Sequence, residues 1–225
     1  MNQDQVKEHF ARQADEYEKL MVKLVPQYLE QNQLICNLLP KEVRSYRVLD
    51  LGCGNGILSE LVFQRFPTSF IVGFDLTPDM LKAYEKKLAH HAGRFELKQG
   101  DFRTDPIGED YDIVIAGLTL HHLSWEERQP FYKILYSALK QGGLFLARDI
   151  IIDEDEAVAR DHYLYWKESM KSQGEDPELW YSKHIDKDRP VTLSDHFAWL
   201  RQAGFSKVGC HWRLYNFAIT AAQKE

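Results

Sequence analysis

Cysteine is scarce in this chain and poorly placed for structural work. The three present, Cys36, Cys53 and Cys210, are odd in number and form no C-x-x-C pair. That argues against a disulfide framework or a structural zinc site and suits a reducing cytoplasm. Long apolar runs are missing too: none approaches the roughly 20 residues needed to span a bilayer. The N-terminus is polar rather than signal-like, so a cytoplasmic protein with no membrane partner is expected. Positive charge is in deficit, with 28 Lys and Arg against 34 Asp and Glu and a net charge of -6. Such a balance gives no global attraction to nucleic acid or anionic lipid. No repeat, low-complexity tract or separating linker is visible, and 225 residues suit one domain with elaborations.

Glycine is not abundant, but it is concentrated. Gly52, Gly54 and Gly56 occupy alternate positions directly after the apolar run Val48-Leu49-Asp50-Leu51. That run reads as a buried parallel strand. The glycines remove Cβ atoms where the backbone must turn sharply and approach a ligand. Apolar residues at 57, 58, 61, 62 and 66 then take helical spacing. Strand, glycine turn and helix begin a Rossmann-like nucleotide site, with ligand at the carboxyl end of the strand. The third glycine comes one residue earlier than in the G-x-G-x-x-G dinucleotide fingerprint.

Further strands are expected at 69–74, 95–98, 111–116 and 144–147, with two more at 205–212 and 214–220 around Arg213. Asp75 follows the second strand, 19 residues after Gly56, where the acid of a nucleotide fold meets ribose hydroxyls. Its structural alternative is a helix N-terminal acid ahead of Thr77-Pro78. Asp101 and Phe102 follow the third strand, in a turn that Asp101 alone could also stabilise. After the fourth strand come His121 and His122, either of which is a candidate general base because histidine titrates near neutral pH. Either could equally cap or pack the next helix. The histidine pairs are adjacent, not at the i, i+4 spacing of helical metal ligands, so no metal is expected. Ser124 and Glu127 have capping-box spacing, yet Pro130 should kink or restart the helix. The main helix is therefore placed at 129–140, stopped by Gln141-Gly142-Gly143.

Two amphipathic helices, over 4–24 and from Pro26 to Pro40, precede the first strand as a cover, with Tyr17 and Tyr28 as candidates to reach the ligand. Residues 153–190 carry Tyr163, Tyr165, Trp166, Trp180 and Tyr181 among many charges. They read as an insertion that forms a lid, a substrate surface, a dimer contact or plain packing.

The strings VLDLGCGNG at 48–56, FDLT at 74–77, QGDF at 99–102, YDIVIAGLTLHHL at 111–123 and LKQGGLFLARD at 139–149 together resemble the class I S-adenosyl-L-methionine (SAM)-dependent methyltransferases. The resemblance implies an α/β, Rossmann-like three-layer sandwich. Its seven-stranded, mostly parallel sheet has the order 3-2-1-4-5-7-6 with the last strand antiparallel. The chain would be one domain over 1–225: helical cover 1–40, SAM-binding core 41–150, helical insertion 151–190, and terminal helix and strands 191–225. The cofactor implied is SAM, and the product S-adenosyl-L-homocysteine. The resemblance puts Asp50, Gly52 and Gly54 around the methionine part and Asp75 on the ribose. It puts Leu76, Asp101 and Phe102 at the adenine and Ala116, Gly117 and Leu118 beside the sulfonium, with Cys53 and Met80 as further cofactor-binding candidates. At its ends the chain is similar to small bacterial enzymes related to carboxy-SAM synthase, through Val25-Pro26-Gln27-Tyr28, Ala203-Gly204-Phe205 and Tyr215-Asn216-Phe217. Trp199 stands where those enzymes carry a carboxylate-binding arginine.

The expected activity is methyl transfer to a small-molecule acceptor. The alternatives are an RNA-modifying enzyme of the same fold, a non-catalytic SAM-binding protein and, disfavoured by the glycine spacing, a nicotinamide-dependent oxidoreductase. An RNA substrate would require a basic surface, but Lys167, Lys171, Lys183, Lys187 and Arg189 are interleaved with acids.

Overall fold

The structure, a computed structural model, describes residues 17–225. The expectation of a helix over 4–24 falls partly outside them; residues 17–24 are helical (α1). A left-handed Gln27 then reorients the chain into α2 (Tyr28–Leu38), so Pro26 lies in the turn rather than inside the helix.

Seven strands form one sheet: β1 (Arg47–Leu51), β2 (Phe70–Asp75), β3 (Phe95–Gln99), β4 (Tyr111–Gly117), β5 (Leu139–Ile150), β6 (Ser206–Leu214) and β7 (Phe217–Gln223). Their order is β3-β2-β1-β4-β5-β7-β6. Pairing is parallel from β3 to β5, and β7 runs antiparallel to both its neighbours. This is the sheet that the resemblance implies. Side chains alternate across it and feed two cores. Leu49, Leu51, Val72, Val114 and Phe145 pack on one face with Phe131 and Leu135 of α5 (Trp125–Ala138) and Leu200 of α8 (Leu193–Ala203). Val48, Ile71, Ile113 and Leu146 pack on the other with Ile35 of α2, Val62 and Phe63 of α3 (Ile57–Arg65) and Tyr84 of α4 (Pro78–Lys87).

A third cluster lies over the carboxyl ends of the strands. Leu24, Val25 and Tyr28 meet Trp166 and Met170 of α6 (Glu156–Ser172), with Ile150 and Phe217 beneath. The indole of Trp166 donates to the Leu24 carbonyl at 2.6 Å. Helix α7 (Pro177–Lys187) completes the insertion.

The region around Pro130 differs from expectation. Helix α5 starts at Trp125, held by the Ser124–Glu127 capping box, and continues through Pro130 to Ala138. Pro130 and Glu126, whose carbonyl it leaves without an intrahelical donor, are both exposed, so water satisfies that carbonyl and the helix does not break. Gly142 and Gly143 are not a helix stop. They lie inside β5, where Gly142 donates its N–H to the Lys224 carbonyl and the pairing with β4 shifts register. The β6–β7 turn falls at Tyr215-Asn216, and Arg213 belongs to β6, paired with Asp153 at 2.5 Å.

Gly56 turns the chain into α3 with φ +83°, and a Cβ there would meet the Tyr84 ring at 2.7 Å. A left-handed conformation costs a non-glycine residue about 1–3 kcal/mol. Gly56→Ala should therefore lower the thermal midpoint by several degrees, as measured by circular dichroism; an unchanged midpoint would refute this account of the turn.

Candidate functional site

Beyond Leu51 the strand gives way to the glycine turn, and the turn is pinned from the side. The Asp75 carboxylate accepts the Gly54 N–H through one oxygen and the Thr77 N–H through the other, both at 2.8 Å. The Cys53 N–H donates to the Phe74 carbonyl at 3.0 Å. Gly52 has φ +64°, and a Cβ there would collide with Thr119, which reaches over from the end of β4. Gly54 has φ +51°, and the space a side chain would take is open.

That space belongs to a cleft of about 400 Å³ lined by Tyr17, Gly52, Gly54, Asp75, Leu76, Met80, Asp101, Phe102, Gly117 and Leu118, together with Thr119, His122 and Lys187. Ten of the expected cofactor-binding residues and one candidate base thus share one cleft. Asp50, Cys53 and Tyr28 border a narrower recess that shares Tyr17, Gly52, Gly54, Gly117 and Leu118 with it. Ala116 lines neither: its side chain points into the core beneath the sheet end. Asp101 is already engaged, since Arg103 grips both its oxygens and holds the carboxyl below its usual range against the opposing effect of burial. Phe102 packs on Phe131 with ring centroids 5.2 Å apart.

Two groups in the recess are electrostatically unusual. Asp50 is buried, accepts from Ser59 Oγ at 2.6 Å, and is pushed up to about 7 by desolvation, with Asp75 adding repulsion. Arg148, at the end of β5, is 2% exposed. Its Nη1 donates to Asn32 Oδ1 at 2.7 Å, and its guanidinium lies 4.4 Å from the Tyr28 ring centroid. Its Nε has no partner, and among the described residues no carboxylate forms an ion pair with it. Asp50, on the same recess, feels its charge, but a buried cation without a direct ion pair is costly. Within β5 Arg148 follows the apolar run 144–147 and precedes Asp149, and only tertiary structure brings it to the recess.

A second cavity of about 300 Å³ adjoins the cleft, and the two share Tyr17, Leu118, His122 and Lys187. Met21, Leu24, Val25, Ile150, Trp166, Trp180 and Phe217 give it apolar walls. Tyr17 borders all three spaces, and burial pushes its phenol up to about 12, so it is neutral there.

The two candidate bases differ in their surroundings. His121 is buried, with Nδ1 2.5 Å from Asp149 Oδ1 and Nε2 3.7 Å from Asp188 Oδ1. Burial opposes ionisation of Asp149, but His121 and Arg128 outweigh it and the carboxyl stays below its usual range. His122 is half exposed at the junction of the cavities, its Nδ1 3.3 Å from Asp188 Oδ1. Asp188 also accepts from His184 Nδ1 at 2.7 Å. Burial favours the neutral acid at Asp188, yet the surrounding histidines hold it well below the carboxylate range.

Residues 48–143 match a family model described as a methyltransferase domain. With this strand order and glycine turn, the chain has the fold of the class I SAM-dependent methyltransferases, and its core resembles theirs in sequence. Among curated proteins it is similar to carboxy-S-adenosyl-L-methionine synthase of Desulforapulum autotrophicum, at 28% identity over 94% of this chain and 88% of that protein. It is also similar to malonyl-[acyl-carrier protein] O-methyltransferase 2 of Ilyobacter polytropus, at 29% identity over 62% of this chain and 49% of that protein. An O-methyltransferase family protein from Burkholderia thailandensis superposes with TM-score 0.68 at 21% identity, covering 99% of this chain and 63% of that one. Human N-acetylserotonin methyltransferase, solved in complex with SAM, gives 0.61 at 22%, covering 93% and 56%. This chain spans less than two thirds of those solved chains, and the likeness to them is one of fold.

Removing His121 would strand a buried Asp149 carboxylate. His121→Ala should cost about 3–5 kcal/mol of stability, whereas His122→Ala should stay within about 0.5 kcal/mol. Urea denaturation of both variants checks this, and equal effects would overturn the distinction.

Proposed function

We propose that this chain binds SAM in the cleft and transfers its methyl group to a small acceptor held in the adjoining aromatic chamber. The observation that carries the reading is the meeting of the two cavities at Tyr17, Leu118, His122 and Lys187. Asp75 accepts from the ribose hydroxyls, and Leu76, Met80, Asp101 and Phe102 surround the adenine. Asp50 and Arg148 face the two charges of the methionine end, Asp50 the ammonium and Arg148 the carboxylate. The open cradle at Gly54 and the unpartnered Arg148 Nε fit such a ligand.

SAM supplies a sulfonium methyl that a nucleophile displaces in line. The protein's work is to align the partners and exclude water. Apolar walls from Met21, Trp166 and Phe217 and the neutral Tyr17 phenol do the latter. His122 is the accessible histidine at the junction and serves as the base for a protonated acceptor; His121 orients its surroundings from behind.

A second reading, formation or use of a carboxylated SAM, is favoured by similarity to carboxy-SAM synthases along nearly the whole chain. Against it, Trp199 packs against the core of α5 and α8 and borders none of the three spaces. Native mass spectrometry of the purified protein, with calorimetric titration of SAM and S-adenosylhomocysteine, separates the readings. A SAM-type ligand supports methyl transfer, a carboxylated SAM supports the second reading, and no interaction in folded protein defeats both.

Asp75→Ala removes the ribose acceptor and should weaken SAM binding roughly 10–100-fold, the worth of a charge-assisted hydrogen bond; unchanged affinity refutes the role. Asp50 must be ionised to hold an ammonium, and its carboxyl sits at about 7. SAM affinity should therefore be constant above that pH and fall about tenfold per unit below it. Asp50→Asn should flatten the profile, and persistence of the slope would exclude Asp50 as its source. Arg148→Met should weaken SAM binding while raising the thermal midpoint of the free protein, because it removes a buried charge that has no direct ion pair. A variant destabilised with SAM affinity intact would make Arg148 purely structural.

A further inference from the structure

The cluster behind the acceptor chamber is more elaborate than a general base requires. His121 and His122 come from the short helical turn Leu120–His122 that follows β4, and Asp188 comes from the end of α7, far away in sequence. The turn places His121 Nε2 and His122 Nδ1 on the same carboxylate oxygen, Asp188 Oδ1, at 3.7 and 3.3 Å. All three candidate ligand atoms lie within 4.8 Å of one another. Ligands bound at about 2.0–2.2 Å in tetrahedral geometry are themselves about 3.3–3.6 Å apart, so the two histidine–carboxylate separations stand near what a shared ion would impose.

Hydrogen-bond polarity points the same way. The Asp149 carboxylate is an acceptor only, so the proton of His121 lies on Nδ1 and is donated to it at 2.5 Å. Nε2 then faces a second acceptor, Asp188 Oδ1. Something positive must stand between them: either a second proton, which makes His121 an imidazolium bridging two carboxylates, or a metal ion bound in its place. The outer contacts match what metal sites use to orient their ligands. Asp149 holds the far side of His121, and His184 Nδ1 donates to the second oxygen of Asp188 at 2.7 Å. Tyr163 in turn meets His184 Nε2 at 3.1 Å. The same three residues line the acceptor chamber, so an ion held by them would have its remaining coordination positions turned towards the acceptor.

We propose that His121 Nε2, His122 Nδ1 and Asp188 Oδ1 bind a single divalent transition-metal ion at the wall of the acceptor chamber. Two imidazoles and one carboxylate suit zinc, iron(II) or cobalt(II) rather than magnesium or calcium, which prefer all-oxygen ligation. The adjacency of His121 and His122, which argues against helical ligation, is no obstacle, because the chelate is completed from α7. An ion there would hold an oxygen of the acceptor, such as a hydroxyl or carboxylate, orient it towards the cleft and favour its deprotonated form, so with the ion bound it would take over the activating part given above to His122. That last role rests on the methyl-transfer reading; the metal site itself does not.

The test is titration of tag-free, chelator-treated full-length protein with cobalt(II), followed by its visible absorption, with SAM affinity measured separately by calorimetry. The site predicts one equivalent bound, with ligand-field bands in the visible, displaced by zinc. His122→Ala, whose side chain is half exposed and should leave the fold intact, should weaken cobalt binding on the order of 100-fold. Asp188→Asn should act likewise, and the outer-contact variant Asp149→Asn should weaken it about 10–100-fold. No saturable binding by folded protein, or binding that survives both His122→Ala and Asp188→Asn, would overturn the proposal. The latter would direct attention to the surface group Glu60, His90 and His91. Loss of SAM binding with metal binding intact would defeat the cofactor reading alone.

Discussion

The architecture depends on one constraint: the chain leaves β1 through a turn that three left-handed glycines make possible and one carboxylate makes rigid. Asp75, at the end of the neighbouring strand, ties the Gly54 N–H and the start of α4 to a single side chain. It thereby locks two crossover connections together where the sheet order reverses. That reversal opens the crevice, since β1 sends its successors outward on one side through β2 and β3 and on the other through β4 and β5. The glycines are needed for contact as well as for conformation. Thr119 fills the place a Gly52 side chain would take, so the loops after β1 and β4 approach more closely than side chains would permit.

The fold was legible because its signals were local. Apolar runs of strand length, glycines at alternate positions and an acid at the end of β2 suffice for the strands and the cleft, while the order of the sheet follows from the resemblance of the motifs to a known family. Misreadings occurred where local signals had tertiary answers. Pro130 is a helix breaker only if the carbonyl it orphans is buried, and here that carbonyl is exposed. Gly142-Gly143 reads as a helix stop until the C-terminal segment pairs with it inside β5. Ala116 sits in the right motif but alternates to the wrong face of β4.

The residues missed at the site share a different cause. Arg148 stands beside Asp149 at the end of a mostly apolar strand, and Asp188 and Lys187 lie in a segment of mixed charge with no periodic signature. Their meaning comes from what they are brought against: an aromatic ring and a recess for Arg148, three histidines for Asp188. Arg103 is an exception, because its grip on Asp101 spans only two residues and was in principle readable.

Tyr17 borders the cleft, the recess and the aromatic chamber at once. A wall shared by three compartments makes their occupancies thermodynamically interdependent. Any shift of that phenol that improves the fit of one occupant changes the free energy of the others, and by reciprocity the coupling is equal in both directions. What fills the cleft would therefore be coupled to what fills the chamber through a single side chain on α1 rather than through movement of the sheet.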